Sequence, residues 1–198
     1  MNPAKIVEII TTRLNGVVPK SSWGETSLFY NPDRRLPNGV YFCTIKDHDG
    51  ENDKSSKLDR AGVYRIAIGL GGTTYECLFG PKPKRPEKGG IVSLSYDFTE
   101  IGRLMPHPVY AWMGWAQILS PNQEVFEEIF PYISQAHSLA AEKFRGNINA
   151  MLIELTCQIS NFPYFCPTLT TLCCPVIHPS VCPESSPWGP PSSWLLLV

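Results

Sequence analysis

The basic residues stop well before the chain does. All 17 Lys and Arg of the 198 residues lie at or before Arg145, with 16 of the 18 Asp and Glu, so 18 − 16 = 2 acids, Glu154 and Glu184, remain for the last 198 − 146 = 52 positions. Those positions hold five of the seven Cys and eight of the 19 Pro. A domain buries an apolar face under a charged one, and 147–198 has neither a sustained apolar period nor a basic residue with which to build that contrast. The expected organisation is one α+β domain over 1–146 and a Cys- and Pro-rich tail over 147–198, either disordered or a mispredicted C-terminus. Cys173, Cys174, His178 and Cys182 are metal-ligand types, yet they lack the paired C-x2-C spacing that sets two sulfurs on one zinc. No metal and no cofactor is expected.

The first 146 residues carry 17 − 16 = +1 charge, which gives no general electrostatic attraction to nucleic acid or an anionic membrane. No apolar run approaches the roughly 20 residues that a spanning helix needs. Residues 1–8 include Glu8 and no apolar core with a small-residue cleavage site, so a cytoplasmic location is expected, with Cys43 and Cys77 as free thiols. The residues set no oligomeric state.

Within 1–146 the pattern alternates between periods. Asn2 can cap and Pro3 can open a helix over 2–15, with Ile6, Ile9, Ile10 and Leu14 in one stripe. Strands are expected over 17–23, 26–31, 40–45 and 62–68, with Gly24-Glu25 as a tight turn and 46–60 as a polar loop. Thr73-Thr74-Tyr75-Glu76 has capping-box spacing for a short helix. A last strand is expected over 109–119. Ser120-Pro121-Asn122-Gln123 then fits a capping box for a long helix with Val125, Phe126, Ile129, Ile133, Ala136 and Ala140 inward and a kink at Pro131. The sum is α+β: an antiparallel sheet of about five strands packed against N- and C-terminal helices.

The runs Ser22-Trp23-Gly24-Glu25-Thr26, Phe29-Tyr30-Asn31-Pro32-Asp33-Arg34, Gly39-Val40-Tyr41-Phe42, the segment from Thr44 to Asp53, and Met105-Pro106-His107-Pro108-Val109-Tyr110 resemble the small proteins grouped as domain of unknown function 6194. The likeness covers roughly 3–145 and implies no established activity. Members carry a polar residue and a lysine where this chain has Gly71-Gly72, so an anion-binding use of these glycines is not implied. More distantly, an aromatic strand over 112–119 followed by an acidic-apolar helix is similar to the MmcQ/YjbR proteins. That likeness implies a frataxin-like two-layer sandwich and a weak link to DNA.

Candidate chemistry gathers at three places. His107 is stiffened by Pro106 and Pro108, as a general acid or base requires, and Asp47, Asp49 or Asp97 is the expected carboxylate partner. The acids at 47, 49, 51 and 53 suit a divalent cation, but position six is Asn52 and position twelve is Leu58, so this is no EF-hand, and a solvated loop is favoured. In a strand over 109–119, Tyr110 and Trp112 would share one face, and Ala111, Met113 and Trp115 the other. One aromatic set would be core, and the other would line a pocket in which Arg65 or Arg34 orients an acidic group of a small-molecule ligand. The expected ligand residues are Arg65, Tyr110, Trp112, Asp47, Asp49, Trp23 and Arg34. A ligand-binding or interaction module is the first reading. A small enzyme using His107 as general acid or base with a carboxylate of the 47–53 loop is the second. Weak DNA binding through Lys82, Lys84, Arg85 and Lys88 is the third, with nucleic acid not expected as the main partner.

Overall fold

The computed structural model describes the backbone of residues 1–160 and the side chains of 1–153; the account below is of the unit Met1–Thr156. Helix α1 (Pro3–Arg13) starts where Asn2 Oδ1 accepts the Lys5 N–H at 2.8 Å, and its Ile6 and Ile10 are fully buried. Strands β1 (Val17–Ser22) and β2 (Glu25–Tyr30) follow, joined by Trp23-Gly24 with φ of 52° and 68°. Two positive φ values in a two-residue loop suit the right-handed twist of a hairpin, but Trp is an uncommon tenant of the first. Strands β3 (Val40–Lys46) and β4 (Arg65–Gly69) flank the polar loop, and α2 (Gly71–Phe79) comes next. After a connector, β5 (Met105–Pro106) and β6 (Trp115–Leu119) precede α3 (Gln123–Ser160). The sheet order is β1-β2-β3-β4-β6-β5, with every neighbouring pair antiparallel.

The structure departs from the sequence expectations at identifiable points. The sheet has six strands rather than about five, because Met105, held extended before Pro106, and Pro106 itself pair with Gln117 and Ala116. The strand expected over 109–119 exists only from Trp115. Residues Ala111–Met113 form a 3-10 turn, closed by Gly114 at φ 80°. A Cβ on Gly114 would lie 2.6 Å from the Gly71 carbonyl oxygen, so this turn is fixed by backbone packing against α2. Tyr110 and Trp112 therefore do not share a sheet face.

Helix α2 starts at Gly71, whose φ of 75° turns the chain at once, and the Thr73 capping box is not made. Helix α3 is capped by Asn122, whose Oδ1 accepts the Val125 N–H at 2.8 Å. Ser120, at φ 39°, instead accepts the Tyr64 N–H at 3.0 Å. Helix α3 continues through Pro131 and on to Ser160. The expectations for 161–198, including Cys173, Cys174, His178 and Cys182, lie outside the described residues. Among those described, no helix is long and apolar enough to cross a membrane.

The two faces of the sheet have different chemistry. Leu28, Cys43, Ile45, Ile66, Ile68 and Ile118 are buried on one face, in one core with Phe126, Ile129, Ile133, Ala136 and Ala140 of α3, a 3–4 spacing that keeps one helical stripe inward. Each such large side chain contributes roughly 1.5–3 kcal/mol by leaving water. The opposite face carries Arg65, Gln117 and Leu119, covered over β4 and β6 by the 46–64 loop and the 105–114 turn.

Candidate functional site

Pairing register places the second-face residues in three rows. Glu25, Lys46 and Arg65 are cross-strand partners on β2, β3 and β4; Ser27, Thr44 and Ala67 form the next row. Phe29 and Tyr41 form the third, and Trp115 joins them by lying over Gly69, where a Cβ would come 3.2 Å from the indole. Tyr41 and Trp115 stack with centroids 5.3 Å apart. Successive rows on one face lie about 7 Å apart. The result is a trough with small side chains on its floor, an aromatic wall and a charged wall.

A bulge lies beside the aromatic wall. Cys43 pairs with Leu28 but Tyr41 pairs with Phe29, so Phe42 is an extra residue in β3. Phe42 and Cys43 are consecutive and both buried, with Phe42 edge-on to His137 of α3 at 5.3 Å, while Tyr41 stays on the trough side at 45% exposure.

The charged wall is held by the polar loop. Gly50 and Asp53 exchange backbone hydrogen bonds of 3.2 Å, a tight turn that aims Asp53 at the sheet. Arg65 grips the Asp53 carboxylate in a fork, Nη1 donating to Oδ1 at 2.9 Å and Nη2 to Oδ2. Burial alone would raise the Asp53 pKa, but the Arg65 hydrogen bonds and charge, helped by Lys46, hold it down at about 2. Lys46 Nζ lies 3.9 Å from Asp53 Oδ2, over Gly50, where a Cβ would come within 2.8 Å of it. The Arg65 Nε is buried without a hydrogen-bond partner. Deeper under the loop, Ser56 Oγ donates to Gln117 Oε1 at 3.0 Å, and Gln117 Nε2 donates to the Phe98 carbonyl at 3.3 Å.

The end of the trough at β4 is closed by the His107 turn. His107 Nδ1 accepts the N–H groups of Val109 at 3.1 Å and Tyr110 at 3.2 Å, which assigns the ring proton to Nε2. Burial, then the Arg65 charge, push its pKa well below the usual imidazole value against the pull of Asp53, so the ring is neutral. Tyr110, 46% exposed, lies 4.9 Å from the His107 ring. Burial raises the Tyr110 pKa and Asp53 and Glu25 raise it further, while burial, Tyr110 and Glu25 do the same for Tyr41. Both phenols thus sit in the field of the charged wall.

Of the residues picked from sequence, the structure brings together His107, Arg65 and Tyr110. The others lie apart from them. Asp47 is exposed and bound to His48 Nδ1 at 3.0 Å, and Asp49 Oδ1 accepts the Leu58 N–H at 2.9 Å to shape the loop. Asp97 accepts from the Thr99 hydroxyl at 2.6 Å. The carboxylate near His107 is Asp53. Trp112 lies under the Arg85 guanidinium at 4.8 Å, in the turn rather than on a strand. Trp23 is 78% exposed at the β1–β2 hairpin tip, and Arg34 ends a 3-10 turn at φ 52°. Sequence reasoning missed Lys46, Tyr41 and Trp115 as site members and reached Asp53 only as one of the carboxylates of the 47–53 loop. One signal was available: Arg65 between apolar Val63 and Ala67 is a buried cation in need of an acid.

Among the described residues no three His, Cys, Asp or Glu side chains gather as a metal site. Over the described residues, fold and site define an α+β protein with an open, six-stranded antiparallel sheet and three α-helices, bearing a polar-aromatic trough on the sheet. The chain belongs to the Family of unknown function (DUF6194), whose family model matches residues 1–149. No curated protein and no solved structure matches it.

Proposed function

We propose that the chain is a small-molecule binding module whose ligand lies in the trough between the Phe29–Tyr41–Trp115 wall and the Glu25–Lys46–Arg65 wall. One observation carries this reading. A row of small side chains, Ser27, Thr44 and Ala67, runs between two rows of large ones, and over β2 and β3 this floor is only partly buried. Apolar surface beside a few fixed polar groups is what small-ligand sites share. His107 has a positioning role in this reading, since its ring holds the turn that presents Tyr110. Acid–base chemistry at His107 has less support: the ring is 1% exposed and its Nδ1 is spent on two backbone N–H groups. The basic cluster gives DNA binding less support too, because Arg85 covers Trp112 and Lys82 lies 3.7 Å from Glu76. The reading includes a cytoplasmic setting and an MmcQ/YjbR-like sandwich, for which the support is an antiparallel sheet with helices at both ends of its sequence.

A two-dimensional NMR fragment screen on the full chain tests the site. Hits are expected to move the backbone signals of Thr44, Tyr110 and Trp115 together. Hits that shift only α1 or α3 resonances would sink the proposal.

A further inference from the structure

We infer that the ligand of this trough is a flat aromatic acid, with its carboxylate at Lys46 and its ring against Tyr41 and Trp115. The inference rests on the binding reading above and adds the chemistry of the ligand.

The charged wall is out of balance at its buried end. Lys46, Asp53 and Arg65 have side chains 13%, 13% and 3% exposed, and they carry two positive charges against one negative. His107, packed beside them, is neutral. The other charge facing Lys46 is Glu25, its cross-strand partner, which is half-buried and makes no ion pair among the described residues. Lys46 shares Asp53 with Arg65 through an ion pair at 3.9 Å that makes no hydrogen bond, and a largely buried charge so loosely held is costly. A structural ion pair would have stopped at Arg65 and Asp53, whose fork is complete. Lys46 is the surplus. Its ammonium has three donors, and its nearest carboxylate oxygen, at 3.9 Å, is beyond hydrogen-bond length. The Arg65 Nε is a second unspent donor in the same cluster. A carboxylate at Lys46 would neutralise the surplus and accept from that ammonium. A neutral or cationic group would leave it as it is.

The opposite wall specifies the other end of the molecule. Tyr41 and Trp115 stack on each other, Gly69 lets the indole come close over β4, and the Tyr41 ring of the pair stays 45% exposed. Offset ring stacking contributes about 0.5–1.5 kcal/mol beyond area burial. The walls are two rows apart, about 14 Å between backbones at a rise of about 3.4 Å per residue, and the side chains lean into that gap. A short spacer between ring and carboxylate then serves both walls at once.

The test uses four probes on the full chain: 3-phenylpropionate, its neutral analogue 3-phenylpropan-1-ol, its cationic analogue 3-phenylpropylamine, and ringless propionate. Affinities are read by NMR titration of the Trp115 indole and Tyr110 amide signals. The acid is expected to bind at least tenfold more tightly than the alcohol and the amine, and propionate at least tenfold more weakly than the acid. Lys46→Gln should bring acid and alcohol to within about twofold of each other, and Lys46→Arg should keep the preference. Equal binding of acid and alcohol at these signals would overturn the acid inference while the binding site stands. Equal binding of propionate and 3-phenylpropionate would overturn the aromatic half. If none of the ring-bearing probes moves the Trp115 and Tyr110 signals while other fragments do, the inference fails alone. If no fragment moves them, the binding reading fails with it.

Discussion

Arg65 and Ile66 are neighbours in one strand and belong to different kinds of protein interior. Ile66 points into a core of branched and aromatic side chains under α3, where any apolar group of similar volume would be tolerated. Arg65 is equally inaccessible, but it is held by a single directional partner, Asp53, twelve residues away on a loop. Burial on the helix side stabilises through area. On the trough side it is stable only while Arg65 keeps Asp53. A sheet needs one face for its core; the second face of this one is built from groups that area alone would reject.

The largest effect is expected where that second kind of interior is broken. Arg65→Met strands Asp53 without its partner and should cost about 3–5 kcal/mol in urea unfolding, whereas Arg65→Met with Asp53→Leu should recover most of the loss. Ile66→Ala should cost a similar amount, about 2–5 kcal/mol, with no second-site change at Asp53 able to repair it. Recovery in both cases, or in neither, would erase the distinction between the faces.

Acid should separate the faces next. The Asp53 pKa of about 2 lies below the ordinary carboxylate value near 3.9, so its contribution is present above about pH 4 and is lost as the pH falls toward 2. His107 is also depressed in the folded state, so its contribution is present above the ordinary imidazole value of about 6.5 and is lost as the pH falls below it. Stability of the wild-type chain should therefore fall on the acid side, by up to about 1.4 kcal/mol per pH unit for each group. His107→Asn, whose side-chain oxygen can still accept the Val109 and Tyr110 N–H groups, should flatten the upper part of that fall. Ile66→Ala should follow the wild-type slope. A wild-type slope in His107→Asn would place the titrating group elsewhere.

The smallest effect should come from a site outside both interiors. Trp23→Asn relieves a bulky residue at φ 52° and should raise stability by about 0.5 kcal/mol, measured as a higher unfolding midpoint. A loss instead would give the exposed indole a contact of its own.

Legibility from sequence followed the same divide. The inward stripe Phe126, Ile129, Ile133, Ala136 and Ala140 could be read from its period, because helix packing is periodic and local. So could β1 to β4, whose ends fall within a few residues of the expected ones. The segment before β6 could not. Its apolar residues fit a strand, but Gly114 meets Gly71 in a tertiary contact, and the His107 ring draws in the N–H groups two and three residues on, a turn that apolar pattern does not signal. At the site, Arg65, His107 and Tyr110 were found because each is conspicuous alone. Lys46, Asp53, Tyr41 and Trp115 are ordinary residues in their own segments. They acquire a role only through register and a loop turn, neither of which local pattern specifies.

The extra residue in β3 also bears on how this strand can change by inheritance. With Phe42 removed, Tyr41 would still alternate with Val40 and Cys43, facing the trough while they face α3. A one-codon gain or loss at this position therefore adds or removes a core aromatic without exchanging the two sides of the strand. Length at residue 42 is free to vary independently of the trough, whereas a codon inserted between Thr44 and Lys46 would turn the charged row inward.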